Sequence, residues 1–376
     1  MAYEFPPIEL LSYHNDKSRF EDRDYVKGLA QNIVDVFKSF NVDVTISNID
    51  MSPYAACFDM IPDQGVSVKT IKGLRPELEL YMAAPVEIVS IGEEAFTIKM
   101  AIKNLDRPLL GLREVIESDD FRNNDYAIPV AAGLDVLGKP FIFDLAQTPH
   151  LLVAGSTGSG KSTFLNDMIL SIVYSKTPEE VQLILADPKA VEFGPYRGLP
   201  HLAFPPVLSS DASYNVFGWA EEKMMKRYSK FSEKGVKDID TYNNKVSQSE
   251  RIPRLVIIID EYMELMYRAQ KELEDIITRL TRLARASGIH LVLSTQRPTA
   301  KIVTPAIKAN IPCRASFTVV DWRESKVILD RTGAERLLGS GDMLYSASES
   351  SQSIHAQAAY VSYDEIDKVI GYVSKT

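Results

Sequence analysis

Leu151–Leu170, LLVAGSTGSGKSTFLNDMIL, is the stretch whose reading decides this chain. An apolar run stops at a glycine-rich turn and resumes as a second apolar segment that begins with a lysine and two hydroxyls. Gly155, Ser156, Thr157, Gly158, Ser159, Gly160, Lys161 and Ser162 match GxxxxGK[ST]. The match lies between a predicted strand and a predicted helix, which is the context the motif requires. The glycines let the backbone curl so that successive N–H groups converge on phosphate oxygens. The following helix adds the positive end of its dipole. In this pattern Lys161 reaches the β- and γ-phosphates, Ser162 ligates Mg²⁺, and Thr163 offers a hydroxyl toward the α-phosphate.

A partner for this motif lies downstream in RLVIIIDEYMELM, where the apolar residues Leu255 to Ile259 end in Asp260 and Glu261. Acids at the carboxyl end of a buried strand stand where open α/β sheets bind ligands. Asp260 suits a Mg²⁺-holding aspartate, and Glu261 suits the base that polarises an attacking water. Gln296, ending IHLVLSTQ, is a candidate sensor of the γ-phosphate. No NKxD-like guanine motif is evident, so ATP is the expected nucleotide.

The strand runs HLLVAGS, VQLILADP, RLVIIIDE and IHLVLSTQ alternate with helical patterns over Lys161–Tyr174, Ala212–Glu233 and Lys271–Ser287. Continuous apolar strands between helices predict a doubly wound parallel sheet covered on both faces. Ahead of it, FRNNDYAIPVAAGLDVLGKPFIFDLAQTPH reads as a β-hairpin lid with Gly138, Lys139 and Pro140 near its turn. Upstream, RDYVKGLAQNIVDVFKSFNVDV carries Val26, Leu29, Ile33 and Phe37 at helical spacing. VDVTISNI, YAACFDMI and AFTIKMAIK read as strands and GLRPELELYMAA as a helix. Residues 1–120 are therefore expected to form a small α+β domain with no active site of its own, and residues 121–376 the α/β domain. SASESSQS, Ser346 to Ser353, reads as a loop between late strands.

The bulk composition narrows the function. A hydrophobic content of 45% and a charged content of 25% fit a soluble globular protein. No window approaches 18 uninterrupted apolar residues, and the N-terminus has no signal-peptide pattern. Cys57 and Cys313 lie far apart and read as buried thiols in a reducing cytoplasm. The five histidines form no zinc signature. A net charge of −9 argues against coating nucleic acid with the whole surface, though not against basic loops facing a channel.

PHLLVAGSTGSGKS, LILADPKAVEF, LVIIIDEYMELM, RLARASGIHLVLSTQRP, IKANIPCRASF and GAERLLGSGDMLY together resemble the FtsK/SpoIIIE family of double-stranded DNA translocases. The resemblance is dense from Ile128 to Val373 and thinner from FPPIELL onward, which looks like the α domain preceding the RecA-like β domain of these motors. It implies a ring, usually a hexamer, with DNA in the channel and ATP between subunits. It also implies that Arg314 acts across the subunit interface to stabilise the transferring phosphoryl group. Two segments become candidates for channel loops: Lys226–Lys245, with Lys234 and Lys237, and the stretch holding Arg323, Lys326, Arg331 and Arg336. Phosphate contacts of this kind favour charge over base sequence. Arg279, Arg282 and Arg285, on one helix face, are expected to support an interface or pair with acids. Members of the family commonly add membrane helices and a winged-helix module, and neither is present between Met1 and Thr376. The rival readings are a protein-translocating ring ATPase of the type VII secretion kind and a nucleotide-gated assembly protein.

Overall fold

The computed structural model describes residues 3–14, 19–91, 97–347 and 353–375. Most of the loop expected at Ser346–Ser353 lies outside the described residues. The chain divides into two compact units. One is Met1–Tyr13 with Gly111–Gly133 and Phe141–Thr376; the other is His14–Leu110 with Leu134–Pro140. This differs from a single cut at residue 120, because the first residues and the segment from Gly111 count with the larger unit.

The smaller unit runs α1 (Arg23–Ser39), β1 (Val44–Met51), β2 (Ala55–Pro62), α2 (Val68–Gly73), α3 (Arg75–Met82), β3 (Val86–Ile91) and β4 (Ile98–Lys103). Asp22 caps α1 by accepting the amides of Asp24 and Tyr25, and so satisfies donors that a helix start leaves open. The predicted stripe Val26, Leu29, Ile33 and Phe37 is buried against Phe58, Met60, Met100 and Ile102 of an antiparallel sheet ordered β1-β2-β4-β3. The hairpin turn Leu134–Pro140 belongs to this unit, where the Ser52 hydroxyl donates to the Val136 carbonyl at 3.2 Å.

The larger unit continues with α4 (Leu112–Ile116), α5 (Asp119–Arg122), β5 (Pro129–Asp135), β6 (Pro140–Asp144), β7 (His150–Ala154), α6 (Lys161–Val173), β8 (Val181–Ala186), α7 (Ser210–Lys234) and α8 (Ile239–Lys245). It then runs β9 (Arg254–Ile259), α9 (Met263–Leu283), β10 (Ile289–Thr295), α10 (Pro305–Asn310), β11 (Cys313–Ser316), α11 (Trp322–Leu329), β12 (Asp342–Ser346), β13 (Ile354–Ala358) and α12 (Tyr363–Val373). Among the described residues nine strands form one sheet ordered β6-β5-β13-β12-β11-β7-β10-β9-β8. The parallel sheet read from the sequence is present as β11-β7-β10-β9-β8, but β12 and β13 extend it antiparallel. The hairpin expected as a lid is the sheet's edge, β6-β5.

On one face Leu152, Ile184, Ile257 and Leu291 share a core with Phe217 of α7, Ile277 of α9 and Ile328 of α11. The alternate residues Leu151, Leu183, Val256 and Val292 are equally buried, so the opposite face is covered too. Each such side chain contributes about 1.5–3 kcal/mol by leaving water. α9 begins eight residues before the predicted helix, and its backbone breaks at Ala269, with φ −150° and ψ 61°. The expected start at Lys271 corresponds to the part beyond this break.

Candidate nucleotide site

Strand order brings the site together. β7 leads into the phosphate loop between the ends of β10 and β11, and β9 delivers its acids one strand further along. The loop is tied to both neighbours. The Gly155 amide donates to the Thr295 carbonyl at 3.2 Å, and the Ser156 amide and hydroxyl donate to the Thr318 carbonyl at 2.8 and 2.9 Å. Gly160 has φ +103°, and a Cβ there would stand 2.5 Å from the Gly341 nitrogen, so glycine is required on both counts. The Gly341 amide in turn donates to the Ser159 carbonyl at 2.8 Å. The amides of Thr157, Gly158 and Gly160 have no backbone acceptor among the described residues. With the first turn of α6, they form a set of converging donors suited to phosphate.

Lys161 is buried, and its Nζ donates to Asp260 Oδ1 and Ser294 Oγ, both at 2.6 Å. The Ser294 hydroxyl closes the triangle by donating to Asp260 Oδ1 at 2.7 Å. Glu261 is fully buried and has φ +50°, a left-handed backbone uncommon outside glycine. The Thr295 hydroxyl donates to its Oε1 at 2.9 Å, the Gln296 amide lies 3.3 and 3.2 Å from its two oxygens, and Lys189 Nζ stands 3.6 Å from Oε2. The Thr157 hydroxyl donates to Gln296 Oε1 at 3.3 Å. Lys161, Asp260, Glu261 and Gln296 are therefore brought together. Ser294, Thr295 and Lys189 were not foreseen as parts of the site. Their signal was the polar tail of β10 and the lysine in LADPKAVEF.

A cavity of about 90 Å³ opens beside the first turn of α6, lined by Ser162, Thr163, Asn166, Tyr360, Ser362 and Tyr363 among others. The Tyr363 hydroxyl donates to Glu192 Oε2 at 3.0 Å. Burial first, and then the Glu192, Asp260 and Asp187 carboxylates, push its pKa up to about 12.

Arg314 lies outside this cluster, closed in by its own chain. Its guanidinium donates to Asp330 Oδ2 at 2.5 Å and to the Ile328 and Lys308 carbonyls at 3.2 and 3.3 Å, and its side chain is 13% exposed. The two basic segments lie at opposite ends of the strands. Arg323 and Lys326 stand exposed on α11, beyond the end of β11 near the phosphate loop, with both cations over the Trp322 ring. Lys234 and Lys237 flank Gly235 at the end of α7, where Arg227 and Ile239 bond the backbone that enters β9 and β10. Arg227 is buried and donates to the Ser287, Gly288 and Pro253 carbonyls, which takes it off the surface. Arg279 pairs with Glu221 at 2.7 Å.

Among the described residues no group of three or more His, Cys, Asp or Glu could hold a metal. Both cysteines are buried and neither is in a disulfide. His150 is structural: burial pulls its pKa down to about 4, the Leu291 amide donates to its Nδ1, and its Nε2 bonds the Thr281 carbonyl.

One buried acid has no evident chemical task. Asp167 on α6 is fully buried, and neither carboxylate oxygen has a partner among the described residues. Burial, reinforced by the Glu365 carboxylate, raises its pKa well above the usual range. The unfolded chain ionises this group above about pH 3.9 while the folded chain keeps the proton, so its contribution is lost as pH rises past that value. Asp167→Asn, which carries no ionisation cost, is therefore expected to raise the denaturation free energy at pH 7. The gain should shrink toward zero below about pH 4. A loss of stability at pH 7 would show that the carboxylate is engaged.

This arrangement of strand, glycine turn, lysine, buried helix and strand-end acids defines a P-loop nucleoside triphosphatase. The chain belongs to the FtsK/SpoIIIE family, whose model matches residues 111–300, preceded by a match to the FtsK alpha domain over residues 5–101. It is 40% identical over 376 residues to the DNA translocase FtsK of Caldanaerobacter subterraneus subsp. tengcongensis, covering 99% of this chain and 52% of that protein. The chain spans about half the length of the first curated relatives it matches. In fold it is similar to the monomer form of the pCW3 conjugation coupling protein TcpA, with a TM-score of 0.63 and 24% identity over 92% of this chain and 99% of that one. It is also similar to the cytoplasmic domain of the Thermomonospora curvata type VII secretion ATPase EccC, with a TM-score of 0.61 and 23% identity over 70% of this chain and 34% of that one. Among the described residues no helix is long and apolar enough to cross a membrane.

Proposed function

We propose that this chain is the ATP-driven motor of a double-stranded DNA translocase that works as a ring, with six subunits as the expected number. The observation that carries the reading is the match over 99% of the chain to a DNA translocase, supported by the bond from Lys161 to Asp260 next to Glu261. ATP phosphates are taken by the loop amides. Lys161 leaves Asp260 for the β- and γ-phosphates, and Glu261 accepts the proton of the attacking water. Gln296, hydrogen bonded to Thr157 on the loop, is suited to report the γ-phosphate. The cavity beside Thr163 and Tyr363 is the proposed place of the nucleoside.

Mg²⁺ fits the donor set. Ser162 and Asp260 offer hard oxygens without a full protein cage, as suits an ion that keeps waters and takes its other ligands from phosphate. When bound, it would neutralise charge on the β- and γ-phosphates. Arg314 is proposed to serve a neighbouring subunit, which requires its release from Asp330. For duplex contact α11 is the better candidate, since Arg323 and Lys326 are exposed at the nucleotide end of the sheet.

The test is steady-state ATP hydrolysis without nucleic acid, with single-stranded DNA and with duplex DNA, using Lys161→Ala as the blank. Stimulation by duplex is the expected result. A rate indifferent to DNA would favour a protein-moving ring and overturn the DNA reading, and no turnover above the blank would overturn the motor itself.

A further inference from the structure

We infer that Lys189 is a positioning residue for Glu261, an inference that rests on the hydrolytic reading above. In the sheet order β10-β9-β8, Glu261 leaves the middle strand. The Thr295 hydroxyl and the Gln296 amide grip its carboxylate from the β10 side. From the β8 side the described residue that reaches it is Lys189, with Nζ 3.6 Å from Glu261 Oε2 and 3.7 Å from Glu264 Oε1. Without that ammonium the buried carboxylate keeps its hydrogen-bond donors on one side alone.

The segment carrying Lys189 is built to aim it. Asp187 is fully buried, and its carboxylate accepts the amides of Lys189, Val191 and Glu192 at 3.0, 2.6 and 2.7 Å. Ala190 takes φ +57° to let the chain wrap around that carboxylate. The far end is held by Tyr363, whose hydroxyl donates to Glu192. Lys189 itself is 37% exposed, so it orients the base without being part of the core. The distances are those of an ion pair and longer than a hydrogen bond. Lys189 therefore acts on the carboxylate through its charge, shared with Glu264.

Lys189→Ala should lower kcat for ATP hydrolysis about 10–100-fold, as loss of a partner that orients a reacting group does. KM for ATP should change by less than about twofold, because binding is untouched. Lys189→Arg should restore most of the rate, and thermal denaturation of Lys189→Ala should match the wild type. In a Glu261→Gln background the same substitution should change the residual rate by less than about threefold, since the group it positions is gone. A raised KM with kcat unchanged, or effects that multiply with Glu261→Gln, would overturn the inference and indicate a direct contact with nucleotide. A wild-type protein with no turnover would overturn the hydrolytic reading along with it.

Discussion

Glu261→Gln is expected to slow ATP hydrolysis by roughly 10²–10⁴-fold, the contribution of a positioned general base, while ATP binding survives. Glutamine keeps the length of the side chain and one acceptor oxygen, so the bonds from the Thr295 hydroxyl and Gln296 amide to Oε1 can persist. It cannot take the proton from water. Nucleotide affinity, read with a fluorescent ATP analogue, should stay near the wild-type value because the phosphate loop and Lys161 are unaltered. A residual rate within about tenfold of wild type would remove Glu261 from the role of base.

Lys161→Ala should abolish turnover and also cost stability, and the second effect comes from the fold rather than from the chemistry. Lys161 and Asp260 form a buried ion pair, with side chains 3% and 4% exposed. Deleting the ammonium leaves the Asp260 carboxylate in that environment with the Ser294 hydroxyl as its remaining side-chain donor among the described residues. Breaking a buried pair from one side typically costs about 3–5 kcal/mol. Chemical denaturation should show that loss in Lys161→Ala, and adding Asp260→Asn should recover part of it. An unchanged midpoint would mean that water replaces the ammonium at no cost, and Lys161→Ala would then be a purely catalytic blank.

The phosphate loop was legible because its glycines answer local demands that sequence displays directly, namely a strand end, a positive φ and a helix start. Asp260 and Glu261 were legible because an uninterrupted apolar strand has a definite end. Ser294 and Thr295 were not, because parallel pairing brings them to acids 34 residues away in the chain. Lys189 was hidden in the same way, as a loop lysine whose target sits on the adjacent strand. The orientation of β12 was equally silent, since Met343, Leu344 and Tyr345 are buried whichever way the strand runs. β3 was missed because an edge strand has one paired side, and Glu87 and Ser90 dilute its apolar signal. Arg227 misled most. A cation in a basic run reads as surface, yet three backbone carbonyls hold this one in the interior.

The close fit of Gly160 against Gly341 has a mechanical meaning. Two backbones in direct contact leave no compliant side chain between them, so neither can shift toward the other without a clash. Thr318 adds a second linkage, its carbonyl holding Ser156 and its hydroxyl bonded to the Leu337 carbonyl at 3.0 Å. The phosphate loop is thus joined by hydrogen bonds to the turns on either side of α11. A shift of the phosphate loop would therefore be met first by these turns, which hold the helix that carries Trp322, Arg323 and Lys326.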